Sequence, residues 1–490
     1  INAATQLGAN SEINAVGGSL TLGELRMNGK TLNSYGANSL NVTGVILGTG
    51  TYNIKNQGLT VTYSGAGANT FSGGTTVESS STLILNKSAS TAAIAGALTI
   101  NSGATLRTDA ANQLNNQLVT VNGAFNMNSQ AQSLALAGAG TVTMNATLTN
   151  NSTGPDTFSG KLTSSGALIK TNIGTLLLSG SANDYSGATT VAGGTLAVSA
   201  NSALGTTAAG TTVTNATLDF QNVNYSTTEA ITLNGGTIAT STGTSTFAGG
   251  VTLGANSTFS VGGTQLTQSG AITDGGNSFG ITKSGNGTLT LSGASANTYT
   301  GLTTVSGGTL NLNKSSGNAI AGATTISSGA VLLLSASNQV DSEAGDLVTL
   351  SGGTIRRGGN VSEVFGNLSV TTASFLDYGA ANSTGTLSFG TYTPTVLLTV
   401  QNFLPGNVLT FGSDLTSSIN NASLFSLGAQ GFTSSWSSGT STFTITAIPE
   451  PSTYLAAAGL FALFLWPMRR RLLKDAKFLL GLRPSGRAAG

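Results

Sequence analysis

The apolar residues of this chain fall in short runs that alternate with threonine, serine and asparagine, as in Leu59-Thr60-Val61-Thr62-Tyr63 and Thr288-Leu289-Thr290-Leu291. Alternation with period two puts one side chain in a core and the next in water, the pattern of a strand buried on one face. The runs are evenly spaced. An apolar residue after a Gly/Asn-x-Thr turn recurs at Leu196, Leu218, Ile238 and Phe259, at Leu310, Leu332 and Ile355, and at Leu83, Leu106, Phe125 and Leu148, with gaps of 19 to 23 residues. The segments lack the 3.6-residue spacing of a helix and are rich in glycine and β-branched residues. A period near 21 is therefore one coil of short strands, and the predicted fold is all-β, a right-handed parallel β-helix whose turns stack along one axis. Residues 1–370 would form about 17 such turns at roughly 4.8 Å each. Glycine would supply positive φ at the corners and asparagine the left-handed turns.

Composition narrows the chemistry. The chain has 490 residues, of which 18 are basic, 17 acidic, none His and none Cys. Ser-His-Asp catalysis, thiol nucleophiles, disulfides and imidazole metal sites are excluded. A hydrophobic content of 39% and a mean hydropathy of +0.17 argue for a packed chain rather than a disordered one. The charge is uneven. Seven basic residues and one acid lie from Arg469 onward, which leaves 11 basic and 16 acidic residues in the first 468. A weakly acidic body is not a nucleic-acid partner. No GGxGxDxUx calcium repeat occurs, so neither metal nor cofactor is expected.

A larger unit repeats three times. Asn69-Thr70-Phe71-Ser72-Gly73, Asn183-Asp184-Tyr185-Ser186-Gly187 and Asn297-Thr298-Tyr299-Thr300-Gly301 each precede a Thr-Thr-Val strand, and the glycines Gly73, Gly187 and Gly301 are 114 residues apart. The match continues from Asn86 and Asn313 through Asn-Lys-Ser, and then through Asn112-Gln113 and Asn338-Gln339. With Gly174 to Leu178, Gly287 to Leu291 and Gly307 to Leu310, these residues resemble the passenger-associated transport repeat, also called the autotransporter-associated β-strand repeat. The related units lie around 58–123, 166–218 and 280–355. The first departs from the pattern, with Glu78-Ser79-Ser80 in place of the second glycine pair. The resemblance implies a β-helical surface protein. The aromatics Phe71, Tyr185 and Tyr299 read as side chains capping the core at a turn, with sugar stacking as the alternative.

Near residue 371 the texture changes. Residues 371–447 hold ten aromatics, against 14 in the first 370. Alternation in Thr395 to Phe403 and Thr440 to Ile448 predicts antiparallel or edge strands, read as an aromatic-rich β cap or small sandwich over the last turn, with a carbohydrate-binding module as the alternative. The segment 448–471 follows: Pro449-Glu450-Pro451, an apolar run over 454–468 containing Trp466, then Arg469, Arg470 and Arg471. Its flanks predict a short transmembrane helix over 454–468 with the arginines inside and 472–490 as a basic cytoplasmic tail. This order closely resembles the PEP-CTERM sorting signal of Gram-negative bacteria. The resemblance implies export, transient lodging in the inner membrane, and cleavage near Pro-Glu-Pro by an exosortase-like enzyme before delivery to the surface or extracellular matrix. The chain begins Ile1-Asn2-Ala3 with the repeat already under way, and reads as a piece of a longer exported protein.

Three functions compete. The leading one is a noncatalytic structural or adhesin-like surface rod, with the processing enzyme, the membrane and an extracellular polysaccharide as partners. The second is a polysaccharide lyase or hydrolase, for which Asp341, Glu343 and Asp346 with Arg356 and Arg357 on the following turn are the candidate cluster. The third is an autotransporter passenger fragment. It would need about 250 to 300 C-terminal residues of barrel strands, where these 490 residues have one apolar segment and a basic tail, so self-translocation is not expected.

Overall fold

A computed structural model describes residues 4–448 except 56, 342–345, 380–382 and 428–430. The period-two runs are strands of two to six residues, and before Phe432–Ser437 they pair in parallel with their counterparts one turn later. Leu196, Leu218, Ile238 and Phe259 are direct partners in successive turns. So are Leu310, Leu332 and Ile355. These side chains are fully buried and form one continuous core along the axis.

The register departs from the expected spacing once. Phe125 pairs with Val142, and Val142 with Leu162, whereas Leu148 belongs to a different sheet, between Gln132 and Leu168. The turn between Phe125 and Val142 is short, so the Gly/Asn-x-Thr signal at Asn145-Ala146-Thr147 introduces a strand on another face.

The faces themselves change along the rod. An eight-stranded sheet ends at Lys161–Thr163 while an eleven-stranded one begins at Pro155–Phe158. A fourteen-stranded sheet ends at Ile272–Thr273 after a ten-stranded one has begun at Asn224–Tyr225. Hydrogen bonding between turns does not stop where a sheet does.

The aromatic-rich stretch continues the solenoid. Ser374–Asp377 pairs in parallel with Thr354–Arg357 on one side and Leu398–Gln401 on the other, and Gly385–Phe389 pairs in parallel with Asn407–Phe411. Only then does the chain reverse: Thr442–Ala447 runs antiparallel to Asn407–Phe411, and Phe432–Ser437 forms the edge. The aromatics fill the core of these turns. Phe365, Phe389 and Phe411 stack along the axis with ring centroids 5.0 and 5.7 Å apart, and Tyr378 meets Phe403 edge to face at 4.9 Å.

The fold class is therefore corrected. The described residues are an all-β parallel solenoid of about 19 turns, closed by an antiparallel hairpin rather than a separate cap. Among them there is no helix, and none long and apolar enough to cross a membrane; residues 454–468, where the sequence places a transmembrane helix, lie outside the described residues. A sliding run of apolar residues is weak grounds for a helix when its flanking charges carry the argument.

Replacing Leu310, which has no exposed surface, with alanine is expected to destabilise the protein by about 2–5 kcal/mol, whereas the outward Thr304→Ala should change stability by no more than about 0.5 kcal/mol. Equal losses in urea titrations would mean that the inward and outward registers are exchanged.

Candidate functional site

At each Asn-x-aromatic-x-Gly turn the chain leaves strand geometry while remaining in the stack, and the asparagine side chain takes over the backbone's role. Asn69 Oδ1 accepts the Ile46 N–H from the previous turn at 2.9 Å, and its Nδ2 donates to the Ala93 carbonyl of the next at 2.7 Å. Asn183 does the same with Leu162 and Ala203, both at 2.8 Å. Asn297 bridges Ile272 at 2.9 Å and Ala319 at 2.8 Å. A primary amide carries a carbonyl acceptor and an N–H donor in one plane, as a peptide does, so it closes the ladder across the gap. Aspartate has no donor for the second bond.

The aromatic two residues on points into the core. Phe71, Tyr185 and Tyr299 have no exposed surface, so none offers a ring for a sugar to stack on. The Tyr185 hydroxyl lies 2.6 Å from Thr189 Oγ1 and that of Tyr299 lies 2.8 Å from Thr303 Oγ1. Phe71 has no hydroxyl, and the corresponding Thr75 Oγ1 is buried without a partner.

Gly73, Gly187 and Gly301 are required by close approach rather than by positive φ, which none of them has. A Cβ on Gly73 would sit 1.4 Å from the Gly50 carbonyl oxygen; on Gly187 and Gly301 it would meet the preceding turn's backbone at 2.3 Å. The left-handed corners expected of asparagine occur elsewhere, at Asn112 with φ 51° and Asn338 with φ 56°.

A second set of side chains does similar work and was not singled out from the sequence. Gln113 and Gln339 accept the backbone N–H of Lys87 and Lys314 at 2.9 and 2.7 Å. Glu363 occupies the next position above Gln339, accepting its N–H and that of Val340; burial pushes its carboxyl up to about 7. Lys87, Lys170, Lys283 and Lys314 are buried. Lys283 Nζ donates to the carbonyls of Ser284, Gly285 and Gly307 at 2.8, 2.9 and 3.0 Å, and Lys170 makes the equivalent bonds to Thr171, Asn172 and Gly193. Desolvation lowers the amines of Lys283 and Lys314 to about 8. The signal was present in the sequence as lysines at matching places in the copies.

The acid–arginine cluster is not assembled as the sequence suggested. Arg356 and Arg357 alternate across the strand Thr354–Arg357, one exposed and one buried. Arg356 pairs with Asp377 at 2.7 Å. Arg357 donates to Asn407 Oδ1 at 2.7 Å and to the carbonyls of Gly359 and Thr384, with its guanidinium 4.9 Å over the Tyr378 ring. Asp341 sits half-buried beside the turn at Ile320, the Asp346 carbonyl accepts the Asn367 N–H, and Glu343 lies outside the described residues. So do Pro449, Glu450, Pro451, Trp466, Arg469, Arg470 and Arg471.

Two predictions follow from the turn and the buried amines. Tyr299→Phe should lose about 1–2 kcal/mol by stranding Thr303 Oγ1, while Phe71→Tyr should gain up to about 1 kcal/mol by giving Thr75 a partner; urea midpoints of both variants test this, and a loss in each would remove the proposed pairing. The second concerns pH. Between about pH 8 and 10 the folded Lys283 and Lys314 are neutral while their unfolded forms still hold a proton, so stability rises with pH. Past 10 the buried Tyr185 and Tyr299, whose phenols burial pushes up, resist an ionisation that the unfolded chain undergoes, and stability falls again. Glu363 acts at lower pH: from 4.5 to about 7 its folded form keeps a proton that the unfolded form has lost, so stability declines with rising pH. Melting curves from pH 4 to 11 should show the rise between 8 and 10, reduced in Lys283→Met.

Comparison with known proteins bears on the same residues. The family model of the passenger-associated-transport-repeat matches residues 168–198 and 281–312, the two units that hold Lys170 and Lys283, Asn183 and Asn297, and both tyrosine turns. No curated protein and no solved structure matched the chain. The chain carries this repeat on a β-solenoid, a combination that fits an autotransporter-associated, passenger-like surface protein.

Proposed function

We propose that the chain is the body of an exported, noncatalytic surface or matrix protein of a Gram-negative bacterium, an adhesin-like rod sorted through the Pro449-Glu450-Pro451 segment. The observation that carries the reading is the passenger-associated repeat set in one unbroken solenoid. Repeats of this kind extend a surface without building a catalytic centre. Engagement of Arg356 by Asp377, and of Arg357 by Asn407 and two carbonyls, supports a structural role for the charged residues first considered for lyase chemistry. The partners in this reading are an exosortase-like processing enzyme and an extracellular polysaccharide. The prolines favour an extended, enzyme-readable segment, since proline disfavours helix and sheet pairing.

The test follows one epitope on the body and another beyond Arg487 in a host with an exosortase. Surface-exposed protein should keep the first and lose the second, and replacing Pro449-Glu450-Pro451 with three alanines should block the loss. A surface product that keeps both epitopes, unaffected by the alanines, would overturn the sorting role. Release of new reducing ends or unsaturated products from pectin, alginate or glucan by the purified body would overturn the noncatalytic one.

A further inference from the structure

One face of the solenoid carries an unbroken column of hydroxyl side chains. From Thr175 to Ser369, ten successive strands of the eleven-stranded sheet present nine threonines and then a serine as direct partners, through Thr217, Thr258, Thr304 and Thr349. Each is half-buried, flanked on both sides in sequence by residues turned toward the core or a corner. At roughly 4.8 Å per strand the column is about 43 Å long. Among the described residues none of these ten hydroxyls makes a hydrogen bond within the chain.

Strand propensity does not by itself impose so long a run: the neighbouring fourteen-stranded sheet lines up only five threonines, Thr190, Thr212, Thr232, Thr252 and Thr273, next to Ile169, and a third face accepts very different residues. On the eight-stranded sheet one outward column runs Thr62, Ile84, Arg107, Asn126, Thr143 and Thr163. The threonine column contains no ionisable group. Within it, Thr195, Thr217 and Thr237 line a shallow, open groove of about 540 Å³ together with Asn215 and Ile173. Ile173 is 86% exposed, the most exposed large apolar side chain among the described residues.

We infer that this threonine column and its groove bind an extended, neutral polysaccharide chain laid along the solenoid axis. A column without ionisable groups, beside which the Asp219 carboxylate stands on the strand of Thr217, gains nothing from an acidic polymer and offers no counterion release, whereas unpaired hydroxyls and the Asn215 amide match the donors and acceptors of a neutral sugar. Ile173 supplies an apolar contact for its C–H face. The strand spacing is close to the length of one pyranose in an extended chain, so successive sugars meet successive threonines, and weak contacts repeated along one polymer add as avidity. This rests on the reading of the chain as an exposed surface rod.

The experiment uses the full chain in affinity gel electrophoresis with mixed-linkage β-glucan, with pull-down on amorphous cellulose, and with alginate as the acidic comparison. Binding to a neutral glycan should survive added salt and weaken at least tenfold in the triple variant Thr195→Val, Thr217→Val, Thr237→Val, which keeps side-chain shape and strand propensity. The double variant Thr62→Val, Thr143→Val, in the mixed outward column of the eight-stranded sheet, should bind as the native protein does. Failure to bind either neutral glycan, unchanged binding in the first triple, salt-sensitive binding to alginate alone, or restraint of ice growth without glycan binding would each overturn the inference. Epitope fractionation scores the surface reading separately, so a correctly sorted protein that binds no glycan sinks the inference alone.

Discussion

Every turn of this solenoid must satisfy the backbone of the turn before it and the turn after it, and this two-sided demand governs the rest of the molecule. In strands the peptide groups meet it directly. At corners and insertions the chain departs from strand geometry, and an unpaired buried peptide would be costly. Asn69, Asn183 and Asn297 meet the demand with a side-chain amide; Gln113 and Gln339 accept a backbone N–H in the same way. Surplus carbonyls are met by the amino groups of Lys170 and Lys283. The turn motif is thus a device for continuing a ladder where a sheet ends, which lets four long sheets overlap along one core.

The composition follows from stacking. A charged residue at an outward position recurs every turn if the repeat is copied faithfully, and like charges one strand apart repel along the length of the rod. Threonine avoids this and suits a pleated, half-buried surface. The four buried lysines, whose amino groups rest on carbonyl oxygens, are the exception. Their burial depresses their proton affinity, which ties stability to pH in a protein without histidine.

Much of the fold was legible because the solenoid is periodic. The spacing of Leu196, Leu218, Ile238 and Phe259 is the spacing of the turns, and these residues do stack. Leu148 misled because a period read from one residue class cannot tell a skipped corner from a new face. The aromatic stretch misled for a related reason. A change of composition signals a change in what fills the core, and Phe365, Phe389 and Phe411 fill a column inside the same architecture. The turn was recognised by its glycine and aromatic, yet the residue that carries the connection is the asparagine at its head. Its role depends on groups 23 and 24 residues away in the chain, at Ile46 and Ala93, which no local pattern reveals. The threonine column was invisible for the same reason, since Gly-x-Thr and Thr-Thr-Val positions come into line only once the turns are in register.

The antiparallel hairpin at the C-terminal end has a mechanical consequence. Tension applied beyond Ile448 reaches the stack through Thr442–Ala447 and its pairing with Asn407–Phe411. Once that pairing yields, the next turn is loaded alone, and each turn that peels away releases about 20 residues, or roughly 70 Å of extended chain. A solenoid loaded in this way gives up length in equal steps at similar force. Under such a load the hairpin is a latch for the turns behind it, and beneath it lies a reserve of contour length many times that of the folded rod.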